Sequence, residues 1–222
     1  MRLAIFDIDG TLTDTHGYDR HFFRALESEL GVAGIRDALD RWRHVTDEGI
    51  AEEVFEVHDR EPDADAFERI KADYDAALAA DLTAAHPMPG AQGILDFLHG
   101  RDDWRIAVAT GNWEHAAARK LAAAGVEVGD VPVVGCDGRP SREAVLLHAY
   151  DESVRRHGAF EHHVYIGDAA WDVRTCRNLA WNFVGLHGDR ERLLGLGATH
   201  VLADYLDLER THTALLEALP PR

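Results

Sequence analysis

Lysine is almost missing from this chain. Among 222 residues only Lys71 and Lys120 carry an ammonium, and Lys and Arg together number 23 against 40 Asp and Glu, a formal charge of -17 at pH 7. With no basic run anywhere, the chain lacks the clustered cations that a nucleic-acid backbone requires, so a nucleic-acid partner is excluded and an anionic substrate has to meet a local positive site. The excess of acid with so little lysine fits either genome composition or a salty cytoplasm. Cysteine is equally scarce. Cys136 and Cys176 stand in neither a metal-ligand spacing nor a redox motif, which rules out a disulfide framework and fits a reducing compartment. No apolar stretch approaches the roughly 20 residues of a membrane span. Met1 runs directly into an apolar strand with no charged leader or small-residue cleavage site. A cytoplasmic protein with no membrane partner is expected. No coiled-coil seam or interface stretch marks an oligomeric state.

What is present begins at residue 3. Leu3 to Phe6 form a short apolar run that leads straight into Asp7, Asp9 and Gly10. Such a run, bounded by turn formers, reads as a buried parallel strand, and the acids after it lie at the strand's carboxyl end, where open α/β sheets keep their sites. Two carboxylates two residues apart repel each other unless a cation or a shared proton relieves them. The pattern asks for a metal, although an ordinary solvated Asx turn has the same composition. From Tyr18 to about Ala80 the apolar residues recur at helical spacing, as in Phe22, Phe23, Leu26 and Leu30. About four helices are expected, starting near Tyr18 and near residues 37–45, 50–58 and 63–80. A block of this length is far longer than a crossover, so it is read as an inserted helical subdomain over 16–85, placed to act as a lid beside Asp7 and Asp9.

His86-Pro-Met-Pro-Gly90 punctuates the return to an α/β pattern, giving a core of 1–15 and 86–222. A helix over Ala91–His99 leads to a strand over Arg105–Ala109 that ends in Thr110-Gly111-Asn112 before a helix from Glu114. This places a hydroxyl and free N–H groups at a helix start, a site for an anion or simply a cap. A β-branched run over Val131–Cys136 is followed by Arg139, Ser141 and Arg142, and a long helix runs through His157. An arginine at a helix start is unfavourable for the dipole and calls for an anionic partner. The strand Val164–Ile166 ends in Gly167-Asp168, with Asp172 four residues on in the first turn of a helix from Val173 to Leu179, so both acids reach one point above the sheet. Further strands are expected at Phe183–Leu186 and His200–Leu202, before a closing helix over Leu206–Leu219. Alternating strands and helices imply a parallel, Rossmann-like α/β core of three layers.

Four strand ends thus bring compatible groups to one sheet edge. In this order, as DIDGT, ATGN, GRPSRE and GDAAWD, they resemble the four motifs of the haloacid dehalogenase superfamily, and the helical insert after the first motif makes the chain most similar to its phosphoglycolate-phosphatase-like members. The resemblance implies a Mg²⁺-dependent phosphatase acting on a small phosphorylated metabolite through an aspartyl-phosphate. In that scheme Asp7 is the nucleophile and Asp9 the general acid and then base. Mg²⁺ is held by the Asp7 carboxylate, the Asp9 carbonyl and Asp168, with Asp172 supporting. Thr110, Gly111 and Asn112 hold the phosphoryl oxygens with an arginine, and either Arg139 or Arg142 fills the third motif, where lysine is commoner; Arg142 is favoured because it stands at the helix start. Asp9 favours phosphatase over dehalogenase chemistry, since a departing alkoxide needs a proton and a halide does not. Lys71, well down the last helix of the insert, is poorly placed for Schiff-base chemistry. A phosphomutase and a non-catalytic phospho-ligand binding or signalling module are the alternatives.

Overall fold

A computed structural model describes residues 1–35, 39–186 and 189–222. The chain runs through β1 (Arg2–Phe6), β2 (Thr13–Asp14), α1 (Asp19–Leu30), a 3-10 turn at Leu39–Arg41, α2 (Asp47–Val57), α3 (Ala66–Asp81), β3 (His86–Pro87) and α4 (Ala91–His99). It continues through β4 (Trp104–Ala109), α5 (Glu114–Ala123), β5 (Val133–Val134), α6 (Arg142–His157), β6 (His162–Gly167), α7 (Ala170–Leu179), β7 (Asn182–Leu186), α8 (Arg190–Gly195), β8 (His200–Leu202) and α9 (Leu208–Glu217).

Six strands form one sheet in the order β5-β4-β1-β6-β7-β8, and every pairing is parallel. β1 sits inside it, with Arg2–Phe6 paired to Trp104–Val108 on one side and to His162–Ile166 on the other. A strand flanked on both edges and covered on both faces must be apolar throughout, and Leu3, Ala4, Ile5 and Phe6 are fully buried. Strand order advances one way from β1 to β5 and the other way from β6 to β8. Right-handed crossovers then set helices on opposite faces, and the reversal beside β1 opens a crevice at the carboxyl ends of β1, β4 and β6.

β1 runs into a tight turn in which the Ile8 carbonyl accepts from Thr11, Leu12 and Thr13 N–H at 3.1, 2.9 and 2.9 Å. Gly10 holds φ +70°, and a Cβ there would lie 2.2 Å from His16 Nε2 and 2.6 Å from Asp168 Oδ2, so the turn admits no side chain. β2 and β3 then pair antiparallel, and the helical block leaves and returns through this ribbon. Two-residue strands carry no alternation, so the ribbon leaves no periodic trace in the sequence.

Within the block, α1, α2 and α3 bury Phe22, Leu26, Val54, Ile70, Tyr74 and Leu78. Phe22 meets Trp113, just ahead of α5, edge-on at 5.4 Å, so the block and the sheet layers share one aromatic cluster. The helix expected over 37–45 is replaced, among the described residues, by the single turn at Leu39–Arg41; residues 36–38 lie outside the described residues. The Arg43 N–H goes to the Glu53 carboxylate at 2.7 Å, and the Val45 carbonyl to Arg142 at 2.9 Å, so the chain is drawn out toward the sheet edge. α2 starts at Asp47, three residues before the expected start, because the Thr46 hydroxyl caps it by accepting from Gly49 N–H at 2.9 Å. α8 has no apolar spacing to foreshadow it; Asp189 caps it through Arg192 N–H at 3.0 Å.

Candidate active site

Asp7 extends β1 by one more ladder bond, its N–H donating to Ile166 O at 2.9 Å, and this delivers its carboxyl to the crevice. There, carboxyl oxygens of Asp7, Asp168 and Asp172 lie within 4.8 Å of one another. Asp168 closes β6, and Asp172 stands in the first turn of α7, its Oδ2 accepting from Ala169 N–H at 3.0 Å. Arg142 opens α6 behind the Ser141 cap and is buried among them. Its Nη1 donates to Asp7 Oδ2 at 3.2 Å, Asp172 Oδ1 at 2.8 Å and the Tyr165 hydroxyl at 3.3 Å, while Nε donates to Val45 O at 2.9 Å. A guanidinium's fixed fork can reach all of these at once, which a lysine cannot. Arg139 points elsewhere, toward the carbonyls of Gly135 and Asp137.

Burial pushes the Asp7 carboxyl upward even with Arg142 beside it, and pushes Asp172 up to about 8. One guanidinium among three carboxylates leaves the cluster short of positive charge. His16 supplies a little more, its Nε2 3.0 Å from Asp168 Oδ2, a hydrogen bond that lifts the imidazolium to about 9 despite burial. The Tyr205 hydroxyl is buried without a hydrogen-bond partner among the described residues, and the charges acting on it are those of Asp168 and Asp7. Hard oxygen donors, raised carboxyls and a stranded hydroxyl fit a small divalent cation such as Mg²⁺ with its waters.

Asp9 has a different environment. Lys120 donates to its Oδ1 and Oδ2, both at 2.8 Å, and to Asn112 Oδ1 at 2.6 Å, and the Thr15 hydroxyl donates to Oδ1 at 2.5 Å. Burial drives the Asp9 carboxyl up, but the Lys120 charge and these hydrogen bonds outweigh it and leave it lowered. Lys120 is a site residue that the motifs do not reveal. Its signal is a lysine on the buried stripe of Ala116, Ala117 and Leu121, where an amphipathic helix should place an apolar residue.

The loop after β4 is arranged less simply than its sequence suggests. Gly111 and Asn112 line the cavity; the Thr110 hydroxyl is buried and accepts from Asn112 N–H at 3.3 Å. The amides at the start of α5 are taken by the protein's own carboxylates: Trp113 N–H by Asp47 at 2.9 Å and Glu114 N–H by Asp137 at 2.7 Å. Asp47 belongs to a docking segment, Val45–Glu48, that closes over the crevice. Asp47 N–H donates to Gly111 O at 2.7 Å, the Thr46 hydroxyl to Pro140 O at 2.6 Å, and Trp113 Nε1 to Glu48 Oε2 at 2.5 Å. Burial raises the Asp47 carboxyl to about 7. A Cβ on Gly111 would sit 2.8 Å from Val45 O and 2.9 Å from Arg142 Nη2, so that seam requires glycine. Between the strand ends and the helices lies a cavity of about 100 Å³, walled on the helical side by Phe22, Phe23, Leu39, Ile50 and Tyr74. It has room for several waters or one small anion with a short tail.

The chain and its fold have counterparts among known proteins. A phosphoglycolate phosphatase of Agrobacterium fabrum is 26% identical over 192 residues, spanning 83% of this chain and 79% of that protein. Among solved structures, a hydrolase from Pseudomonas syringae superposes with a TM-score of 0.72 at 22% identity, over 96% of this chain and 98% of the other. CbbY from Rhodobacter sphaeroides, solved in complex with phosphate, gives 0.65 at 20% identity, over 93% and 95%. At such identities the structures establish the fold. The family pattern of haloacid dehalogenase-like hydrolases matches residues 1–180, a span that holds β1, the helical block and the ends of β4, β6 and α7. By that match this chain belongs to the haloacid dehalogenase-like hydrolases.

Proposed function

We propose that this protein is a Mg²⁺-dependent phosphatase of small, phosphoglycolate-like monoesters, with a core of 1–15 and 86–222 and a helical cap of 16–85. The observation that carries the reading is the pairing of two aspartates on one strand end with separate cations: Asp7 with Arg142 in a carboxylate cluster, and Asp9 with Lys120 outside it. The small cavity, partly open to solvent, and the 26% identical phosphoglycolate phosphatase support the size and class of substrate.

Asp7 Oδ attacks phosphorus, the bond from phosphorus to the ester oxygen breaks, and the Asp9 carboxyl gives that oxygen its proton. Substrate phosphate brings negative charge against Asp9 and so favours its protonation at this stage. Water then attacks the phosphorus of the aspartyl-phosphate while Asp9 takes its proton, releasing phosphate and restoring Asp7. Arg142 and the Gly111 and Asn112 segment orient the phosphoryl group and meet the charge that grows on its oxygens, with Thr110, buried behind the cavity, bracing that segment through the Asn112 N–H. The Asp7 carboxylate, the Asp9 carbonyl and Asp168 would hold Mg²⁺, with Asp172 buttressing the cluster through Arg142 and Ala169. When bound, the ion neutralises repulsion between nucleophile and phosphate. Lys71 is engaged by Asp137 at 2.9 Å and is not among the residues lining the cavity.

The test is hydrolysis of p-nitrophenyl phosphate and of a panel of small metabolite phosphates, phosphoglycolate included, with and without Mg²⁺. Turnover should require the ion and fall about 10⁴-fold in Asp7→Asn. Well-folded wild type that turns over none of the esters would refute the proposal.

A further inference from the structure

Lys120 lies on α5, a different element from those that carry the carboxylate cluster. It is 2% exposed, on a helix face otherwise filled by alanine and leucine. An apolar side chain would pack there without the cost of desolvating a charge, so the ammonium needs a reason. Helical side chains lean toward the helix N-terminus, and this one reaches back past the first turn to the sheet edge. All three of its N–H donors are spent there: two on the Asp9 carboxylate and one on Asn112 Oδ1, at 2.8, 2.8 and 2.6 Å. With Thr15 as a further contact, Asp9 is gripped from α5 and from the residue after β2, while Lys120 is itself held to the loop after β4 through Asn112. Asp7 has Arg142 for its cation, so Lys120 duplicates nothing.

We infer that Lys120 is a positioning residue for Asp9: it fixes that carboxyl in one rotamer on the leaving-group side of the cavity and ties it to the loop that meets the phosphoryl group. The inference rests on the phosphatase reading. It separates from a merely structural role through the leaving group. An alkyl ester needs its departing oxygen protonated, whereas p-nitrophenolate leaves with little help, and kcat/KM covers only the steps up to loss of the alcohol.

The experiment compares kcat/KM for propyl phosphate and p-nitrophenyl phosphate, with Mg²⁺, in wild type, Lys120→Met, Asp9→Asn and the double variant, each checked by circular dichroism. Lys120→Met should lose about 100-fold on the propyl ester and less than about tenfold on the aryl ester. Asp9→Asn should show the same split, and the double variant should be no worse than Asp9→Asn alone. Equal losses on the two esters, or losses that multiply in the double variant, overturn the inference. Should Lys120→Met fail to fold, the double variant, which removes both charges, decides: activity about tenfold below Asp9→Asn overturns it, and equality supports it. Wild type inert toward both esters overturns the phosphatase reading itself, and this inference with it.

Discussion

The two walls of the cavity are built on different principles. On the sheet side the wall is polar, and its ionisable side chains hold one another: Asp7 and Asp172 share Arg142, Asp168 meets His16, and Asp9 meets Lys120. On the helical side the wall is aromatic and aliphatic, and it meets the sheet layers through backbone groups of Val45, Asp47 and Glu48, the last donating to Cys136 Sγ at 3.4 Å, through the Phe22–Trp113 ring contact, and through the pairs Asp75–Arg119 and Lys71–Asp137. Charges set at the ends of paired strands are held by the ladder, whereas a wall that belongs to an inserted block rests on side-chain and loop contacts that can part without breaking that ladder. On the phosphatase reading proposed above, chemistry belongs to the first wall and admission of substrate to the second.

The sharpest way to break that division is at Arg142. Arg142→Ala should lower kcat/KM for every ester about 10²–10³-fold, while Arg139→Ala, whose guanidinium serves only nearby carbonyls, should stay within about threefold; the reverse ranking would misplace the charged wall. Next comes metal withdrawal. The folded protein keeps Asp172 protonated up to about 8, whereas the unfolded chain releases that proton near pH 4, so metal-free stability is lost as pH rises through this window. Mg²⁺ should therefore raise the melting temperature at pH 8 more than at pH 5, and Asp168→Asn should abolish most of the gain.

Smaller effects should come from the helical wall. A Cβ on Gly49 would stand 2.3 Å from Pro140 O, so Gly49→Ala should loosen the docked segment and raise KM about tenfold with kcat within a few-fold of wild type. Steady-state kinetics showing the loss in kcat would merge the two walls into one. The smallest effect is at Asp47, whose carboxyl keeps its proton in the folded state up to about 7 but loses it near pH 4 when unfolded. Its contribution to stability thus declines as pH rises across that interval. Asp47→Asn retains an acceptor for Trp113 N–H and should melt about 2–4 °C higher at pH 8, with little change near pH 4.5.

The strand-and-helix alternation was legible because buried parallel strands are continuous apolar runs. Residues 91–99 and 200–202 form the helix and strand that their composition predicts, and the ends of β1 and β6 announce themselves as acids after such runs. Three features were not legible. The β2–β3 ribbon is too short to have a period. Residues 46–49 fall between two expected helices, yet Val45–Glu48 docks on the sheet edge through N–H and C=O groups as well as through the Thr46, Asp47 and Glu48 side chains, and helical spacing records neither. Lys120 follows Arg119 and so resembles a solvated charge pair; only its place on the helix's buried stripe distinguishes it, since Arg119 turns outward to Asp75 at 2.7 Å.

The placement of β1 between β4 and β6 also bears on how the chain comes to be folded. Its hydrogen-bonding neighbours begin at Trp104 and His162, so β1 leaves the ribosome before either of its partners and its pairing is completed late. During synthesis the apolar residues 3–6 stay without either flanking edge for over a hundred residues, a long-range closure of the kind that slows folding and exposes nascent chains to aggregation. The helical block, whose α1 packs on α3 within residues 19–81, has its own partners in the chain before either of these edges is made.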